Sequence, residues 1–400
     1  MKQPKLAISA LAILSAFAAT AHAQDGMPIT ISGFGTGALT MTNSDQAEFN
    51  RVNQAAGVGK DARAGVDSNF GIQATAKWSD TISFTAQGLV RKNGSNDQFG
   101  AELAWAFAKI KLNDDFSVRL GRIGLPVYMI SDVRNVGYAN TMLRPPNEVY
   151  RQVTVDNADG GDVVYQHSFG DTTVTAQAAV GRSKVRAPGN YYVEFKPVVS
   201  TQLVVENGPF TYRLGRSQAT FGIYNNPSLT GLVGALKQFG LTAVANQVPL
   251  TDVKGTFTSA GIAMDYNNII GQAEYAKRKT DTRLVPDTSS WYVMMGYRYG
   301  KFVPYASYGD VKQDSIRSFS TLPTTGPLAA LSAGTNGAIK SGLQSSTAIG
   351  LRWDFYKSAA FKVQMDRVKT RDGAGYFLNP KPGFAGSTVN VYAAAIDFVF

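Results

Sequence analysis

The sequence predicts an all-β chain closed into a transmembrane antiparallel β-barrel of about sixteen strands, with short periplasmic turns and long extracellular loops. Three observations predict it. Apolar and polar residues alternate with a period of two, as in Ile82, Phe84, Ala86 and Val90 against Ser83, Thr85, Gln87 and Arg91. Tight polar turns, about seven, take turns with longer connections, about eight, which is the two-sided pattern of an outer-membrane barrel. Beyond the N-terminal segment no apolar run reaches the ~20 residues that a transmembrane helix needs.

The N-terminal segment is read separately. Met1 to Lys5 is basic, Leu6 to Ala19 is apolar, and Ala21-His22-Ala23 supplies small residues before Gln24. This predicts a signal peptide over 1–23 and a barrel domain over 24–400. The chain has no cysteine, which excludes disulfides, thiolate metal sites and cysteine catalysis. Of two histidines one, His22, lies in the signal, so no multi-histidine metal centre is available. His167 and Ser168 are neighbours on a predicted strand and point to opposite faces, so they make no catalytic pair. No cofactor, no metal, no enzymatic activity and no nucleic-acid partner are expected. Charged residues are 17% of the chain, below the roughly 25% of soluble domains. The net charge of +10 fits either a surface facing anionic lipopolysaccharide or a positive lumen.

An opening strand is predicted over Ile29 to Met41. Its Gly33-x-Gly35-x-Gly37 is not followed by a helix pattern, so it is read as strand glycines making room inside the barrel rather than a dinucleotide site. A hairpin follows, Phe70–Trp78 turning at Ser79-Asp80 into Ile82–Arg91. The unit then recurs: Phe99–Leu112 with Asp115–Arg122, Asp162–Phe169 with Thr172–Arg182, and Val198–Glu206 with Phe210–Phe221. Thr256–Tyr266 with Ile269–Thr280, Ser289–Tyr299 with Phe302–Gln313, and Leu343–Phe355 with Ala359–Thr370 continue it. Thr388 to Phe400 closes the set. One face of these strands is aromatic or aliphatic, as in Trp291, Val293, Met295 and Tyr297, over a polar face, which places lipid outside and water inside. Among the loops, 181–197 is basic and aromatic and 315–342 is rich in small residues. Within 224–255 a short helix is predicted, capped by Asn226, with Pro227 first and Gly240 as its stop.

The stretch from Gly121 to Asp162 departs from the pattern. A connection this long is functional or disordered, and Tyr128, Met129, Ile130, Met142, Leu143, Val149 and Tyr150 are too apolar for disorder. It is predicted to fold into the lumen. Asp132, Arg134, Arg144, Glu148 and Arg151 are its candidate constriction residues. Alternation places Arg119, Arg213, Arg278, Arg298 and Arg352 on the polar face, as candidate pore-wall residues. Arginine facing lipid at mid-depth costs roughly 2–4 kcal/mol, which favours the lumen.

A cleavable signal, about sixteen alternating strands, a long loop after the fifth, and the ending Val391-Tyr-Ala-Ala-Ala-Ile-Asp-Phe-Val-Phe400 together resemble the Gram-negative outer-membrane porins. Ser32-Gly-Phe-Gly-Thr-Gly37 and the segment from Gly121 are similar to a proteobacterial porin-like group, although the Pro-Glu-Phe-Gly-Gly motif common in the corresponding loop of general porins is absent. The resemblance implies passive diffusion of small hydrophilic solutes and ions through a homotrimer in the outer membrane. It also implies outer-membrane lipid and lipopolysaccharide as surroundings, and a C-terminal strand ending in Phe400 that is read by the barrel-assembly machinery. The basic wall adds a mild anion preference. A channel specific for an organic anion, or a plugged structural or adhesive barrel, are the alternatives.

Overall fold

The computed structural model describes residues 27–400 apart from residue 95, so the predicted leader 1–23 lies outside the described residues. Sixteen strands pair antiparallel, each with its sequence neighbours, and the first pairs with the last to close the barrel. They are β1 (Ile29–Thr42), β2 (Asn69–Lys77), β3 (Ile82–Lys92), β4 (Phe99–Lys111) and β5 (Phe116–Gly124). After the long loop come β6 (Asn157–Phe169), β7 (Thr172–Arg186), β8 (Tyr192–Asn207), β9 (Phe210–Tyr224), β10 (Val253–Tyr266) and β11 (Ile269–Thr280). The set ends with β12 (Thr288–Tyr297), β13 (Phe302–Gln313), β14 (Leu343–Tyr356), β15 (Ala359–Arg371) and β16 (Thr388–Val399). Closure leaves no open edge, which is how sixteen strands stay together in lipid without unpaired backbone groups.

Alternation is realised as two faces. Leu39, Met41, Leu120, Leu203, Leu214, Val293, Met295, Ile349 and Ile396 are exposed on the outside. Aromatic side chains ring the short-turn end, among them Phe116, Tyr212, Tyr266, Tyr297, Phe302 and Trp353, where amphipathic rings meet a headgroup layer. The glycines of β1 make room on this outer face rather than inside. A Cβ on Gly33 would lie 2.2 Å from the Phe400 ring, and one on Gly35 would lie 2.5 Å from Phe398. Phe70 and Phe398 flank the Phe400 ring in stacked arrangements, at 6.4 and 6.5 Å.

Three loop readings change. The basic, aromatic stretch 181–197 is mostly strand: β7 and β8 run on past the predicted ends, with register shifts at Gly181/Ser183 and Phe195/Val198. These bulges broke the alternation that would have revealed them. The small-residue stretch 315–342 holds a helix (Ala329–Ala338). The long loop itself is shorter than the sequence implied, 125–156, because Gly160 and Gly161 interrupt a strand that begins at Asn157. The predicted helix at Pro227–Gln238 is present, with the Asn226 side chain accepting from the Leu229 amide at 3.0 Å and Gly240 at φ +72° just beyond it. With Val244, Phe319, Leu322 and Ile339 it forms a small apolar cluster on the long-loop side.

Candidate functional site: a narrowed lumen

The loop 125–156 packs against the inner wall at three places. Near its root, Arg213 on β9 donates to the Pro126 carbonyl at 2.6 Å, and Ser259 on β10 donates to the Val127 carbonyl at 3.1 Å. The Met129 amide and the Tyr150 hydroxyl donate to the two oxygens of Glu274 on β11, at 3.0 and 2.7 Å. Tyr128 lies between Tyr150, at 4.7 Å between centroids, and Phe257, at 5.2 Å. These rings belong to the largest apolar cluster of the molecule, formed by the loop and the inner faces of the wall. A barrel whose interior side chains meet a loop instead of water has its core off-centre.

The second anchor is ionic. Arg144 donates from Nε and Nη2 to the two oxygens of Asp67, at 3.0 and 2.7 Å, and from Nη1 to Asp366 on β15. Burial alone would raise the Asp67 carboxyl, but Arg144 and Arg51 outweigh it and hold it below the usual carboxylate range. Glu148, fully buried, accepts from Gln344 at 2.6 Å and Ser346 at 3.0 Å on β14, and its burial pushes it above that range.

At the third anchor the loop has descended to the short-turn end, where the Tyr138 hydroxyl donates to the carbonyl of Lys357. Two wall cations collect the carbonyls of the loop here. Arg352 on β14 donates to Tyr138 and Asn140 at 2.8 and 2.9 Å, and Lys362 on β15 to Gly137 and Asn140 at 2.7 and 2.5 Å. Lys362 pairs at 2.9 Å with Asp397 on β16, which also accepts from Thr36 on β1 at 2.5 Å. A side chain at position 137 is excluded, since a Cβ would lie 2.0 Å from Asp397.

The candidate residues therefore divide. Arg134 is bound to Asp156 and lowered by burial to about 10, and Arg151 is held on Asn50, over the Tyr376 ring, likewise lowered to about 10. With Arg144 and Glu148 they fix the loop in place. Arg352 and Arg278, the latter donating to the carbonyls of Pro286 and Gln152, do the same from the wall. Arg298 sits in the β12–β13 turn, paired with Asp265 at 2.9 Å, at the rim rather than in the wall. Opposite charges saturate one another wherever the geometry allows, so a count of charged residues overstated the number free to meet a solute.

Asp132 and Arg119 are different, and Arg213, buried on the Pro126 carbonyl, both seats the loop and ends the belt that Arg119 begins. Asp132 stands in a short 3-10 turn (Ser131–Val133) on the exposed edge of the loop. The wall it couples to carries a continuous hydrogen-bonded belt. Arg119 on β5 donates from Nε to Asp162 on β6 at 2.9 Å, and Gln177 on β7 donates to the same carboxylate at 2.6 Å. Gln202 on β8 donates to Gln177 at 2.8 Å, and Arg213 donates from Nε to Gln202 at 2.8 Å. Five strands thus present one polar band with an arginine at each end. Crowding by the walls holds the Asp132 carboxyl above the usual range, against the pull of Arg119 and Arg213.

Lys109, missing from the sequence-derived set, is directly opposite Arg119 in the β4–β5 register, hence on the same inner face. It is exposed and has no ionic partner among the described residues. The signal was there: Trp105, Phe107, Lys109 and Lys111 share one face of β4. The opposing Ala106 and Ala108 were too small to mark themselves as the lipid side, while the aromatic residues looked as if they did, and a bulge at Ala104, which is buried on the inside with Phe34 and Leu89, breaks the phase beyond them.

Comparisons place this architecture among known proteins. Solved structures similar in fold include an anion-selective porin from Comamonas acidovorans, 13% identical with a TM-score of 0.55, covering 94% of this chain and 100% of that one. OmpF of Salmonella typhi in complex with daunomycin is 14% identical with a TM-score of 0.56, over 94% and 98%. OmpT of Vibrio cholerae, described as a trimer form, is 13% identical with a TM-score of 0.55, over 94% and 100%. No curated protein matches the chain. The model of the Gram-negative porin family matches residues 10–397, nearly the whole sequence, and the chain belongs to that family.

Proposed function

We propose that the protein is a passive diffusion channel of the outer membrane for small hydrophilic solutes and ions, and that its selective passage runs between the loop edge at Asp132 and the belt from Arg119 to Arg213. The observation that supports this most is the arrangement of charge: the other four candidate residues of the loop are bound in its packing, while Asp132 stays exposed toward the belt. A carboxylate facing two arginines sets up a field across the passage, which orients dipolar solutes. Arg119 and Arg213 with Asp162 give the belt one net positive charge, Asp132 cancels it, and Lys109 leaves a surplus of one. That balance supports a mild anion preference. We extend the reading to a homotrimer, the form in which the Vibrio OmpT neighbour is described.

The test is planar-bilayer recording. Ohmic single channels with a small anion-favouring reversal potential under a salt gradient are expected. A cation-favouring potential removes the preference, saturable block by one organic anion makes the channel substrate-specific, and absence of conductance from folded protein makes the barrel a plugged one.

A further inference from the structure

An ionic seam lies where the connection from β1 to β2 meets the loop 125–156 and the end of β3. The Asn147 side chain donates to the Asn50 carbonyl at 3.2 Å there, and a cavity of about 40 Å³ remains, lined by Arg51, Asp67, Arg91, Lys92, Arg134 and Asn135 among others. The carboxylates around it are already shared. Asp156 accepts from Arg91 at 2.8 Å and is paired with Arg134, while Glu102 accepts from Arg91 at 2.6 Å. Asp97 is paired with both Arg63 and Lys92. Asp67 takes two donors of Arg144, at 3.0 and 2.7 Å, and the Thr40 hydroxyl at 2.7 Å. With Asp366, bound to Arg144, five carboxylates serve six cations. Arg51 is the one left over: its guanidinium reaches Asp67 only at 3.7 Å and donates no hydrogen bond among the described residues.

Burial, and then repulsion by Arg144 and Arg91, hold the Arg51 guanidinium below the usual arginine range against the pull of Asp67. Burial comes first for Arg134 as well, with Arg91 and Arg51 adding to it. Guanidiniums that repel one another while lining one cavity are stabilised by a negative charge placed in it, and each has N–H groups to donate to that charge. Size narrows the choice. One water takes about 30 Å³ of the liquid, so the cavity suits an ion of about that size and excludes the body of an organic anion. A halide carries a single charge, accepts from any direction and matches the surplus of one cation. Arg119, Gln177, Gln202 and Arg213 do not line this cavity, so it is separate from the belt and the passage beside it.

We propose that Arg51, Arg91 and Arg134 hold a halide ion in this cavity, a resident ion that ties the β1–β2 connection, the end of β3 and the loop together instead of passing through the channel. The experiment titrates bromide, which scatters anomalously, into crystals of the full protein and of the variant R51Q. Arg51 is the residue to change because it gives up no hydrogen bond and Asp67 keeps Arg144. An anomalous peak within hydrogen-bond reach of the three guanidiniums is expected in the unaltered protein. In R51Q the bromide concentration for half occupancy should rise roughly tenfold, the loss of one charge-assisted hydrogen bond. No peak in the unaltered protein overturns the site, as does equal occupancy in the variant. Heat denaturation supplies a second measurement, in chloride and in gluconate, which is too large for the cavity. The gain in midpoint from gluconate to chloride is expected to be greater in the unaltered protein than in R51Q, because a ligand of the folded state alone raises its stability. The same difference in both proteins means an adventitious ion only, and overturns the proposal. Neither measurement reads conductance, so the channel is tested independently.

Discussion

Asp132 is a single carboxylate in a protein with 29 acidic residues, and its neighbourhood is what sets it apart. Because burial holds its carboxyl above the usual value, it takes up a proton as pH falls before an ordinary aspartate would. The neutral form leaves the exposed Lys109 without that opposing charge at the passage, while Arg119 keeps Asp162 as its partner. Anion preference is therefore expected to rise as pH falls through the acid range, read as a shift in reversal potential. Asp132→Asn should show the acid value at neutral pH and lose most of the shift; a variant that keeps the shift moves its origin to another carboxylate. Arg119→Gln is a harsher change, because Asp162 stays buried with only Gln177 to bind it, at a cost of about 3–5 kcal/mol. At this scale the sequence was half legible. Alternation placed Arg119 and Arg213 inward, but their partners Asp162, Gln177 and Gln202 lie on other strands, and nothing local to an arginine announces what it will bind.

The loop is the element where partial legibility shows most clearly. Its apolar content marked it as folded, and its position after the fifth strand gave it an address inside the barrel. Its charges were assigned to the passage because sequence shows which residues are charged and not which are neutralised. Lys362 illustrates the difference: a fully buried lysine in a strand, it had no reason to stand out until loop carbonyls were found around it. Lys362→Met removes the donor shared by Gly137 and Asn140 and leaves Asp397 buried, a loss of about 3–5 kcal/mol in seating. Single channels of the variant are expected to be larger and noisier, with the barrel still resistant to heat on electrophoresis. Quiet channels of unchanged size would show that the first two anchors suffice. K362M/D397N, in which neither partner is charged, should recover part of the loss.

Across the whole molecule the strand count was the most legible feature, since a period of two repeated about sixteen times is hard to produce by accident. Boundaries failed at bulges, in β7 and β8, where an inserted residue shifts the phase. The direction in which glycines make space was also unreadable. Gly33 and Gly35 receive the terminal rings on the outside, so Gly33→Val pushes Phe400 off its seat against Phe70. A penalty of about 1–3 kcal/mol is expected, visible as a lower yield of folded barrel from denaturant. Gly37, with nothing near a Cβ, is the control, and Gly37→Ala should leave the yield unaltered.

The third anchor joins the loop to β1, β15 and β16 at once, through Thr36, Lys362 and Asp397. Those strands include the two ends of the chain, which meet only when the ring of strands is complete. Until then Asp397 and Thr36 are not side by side, and the loop's tip has no shelf to rest on. The last part of the loop to be seated is therefore its tip: the shelf under Gly137 exists only once β1 and β16 lie side by side.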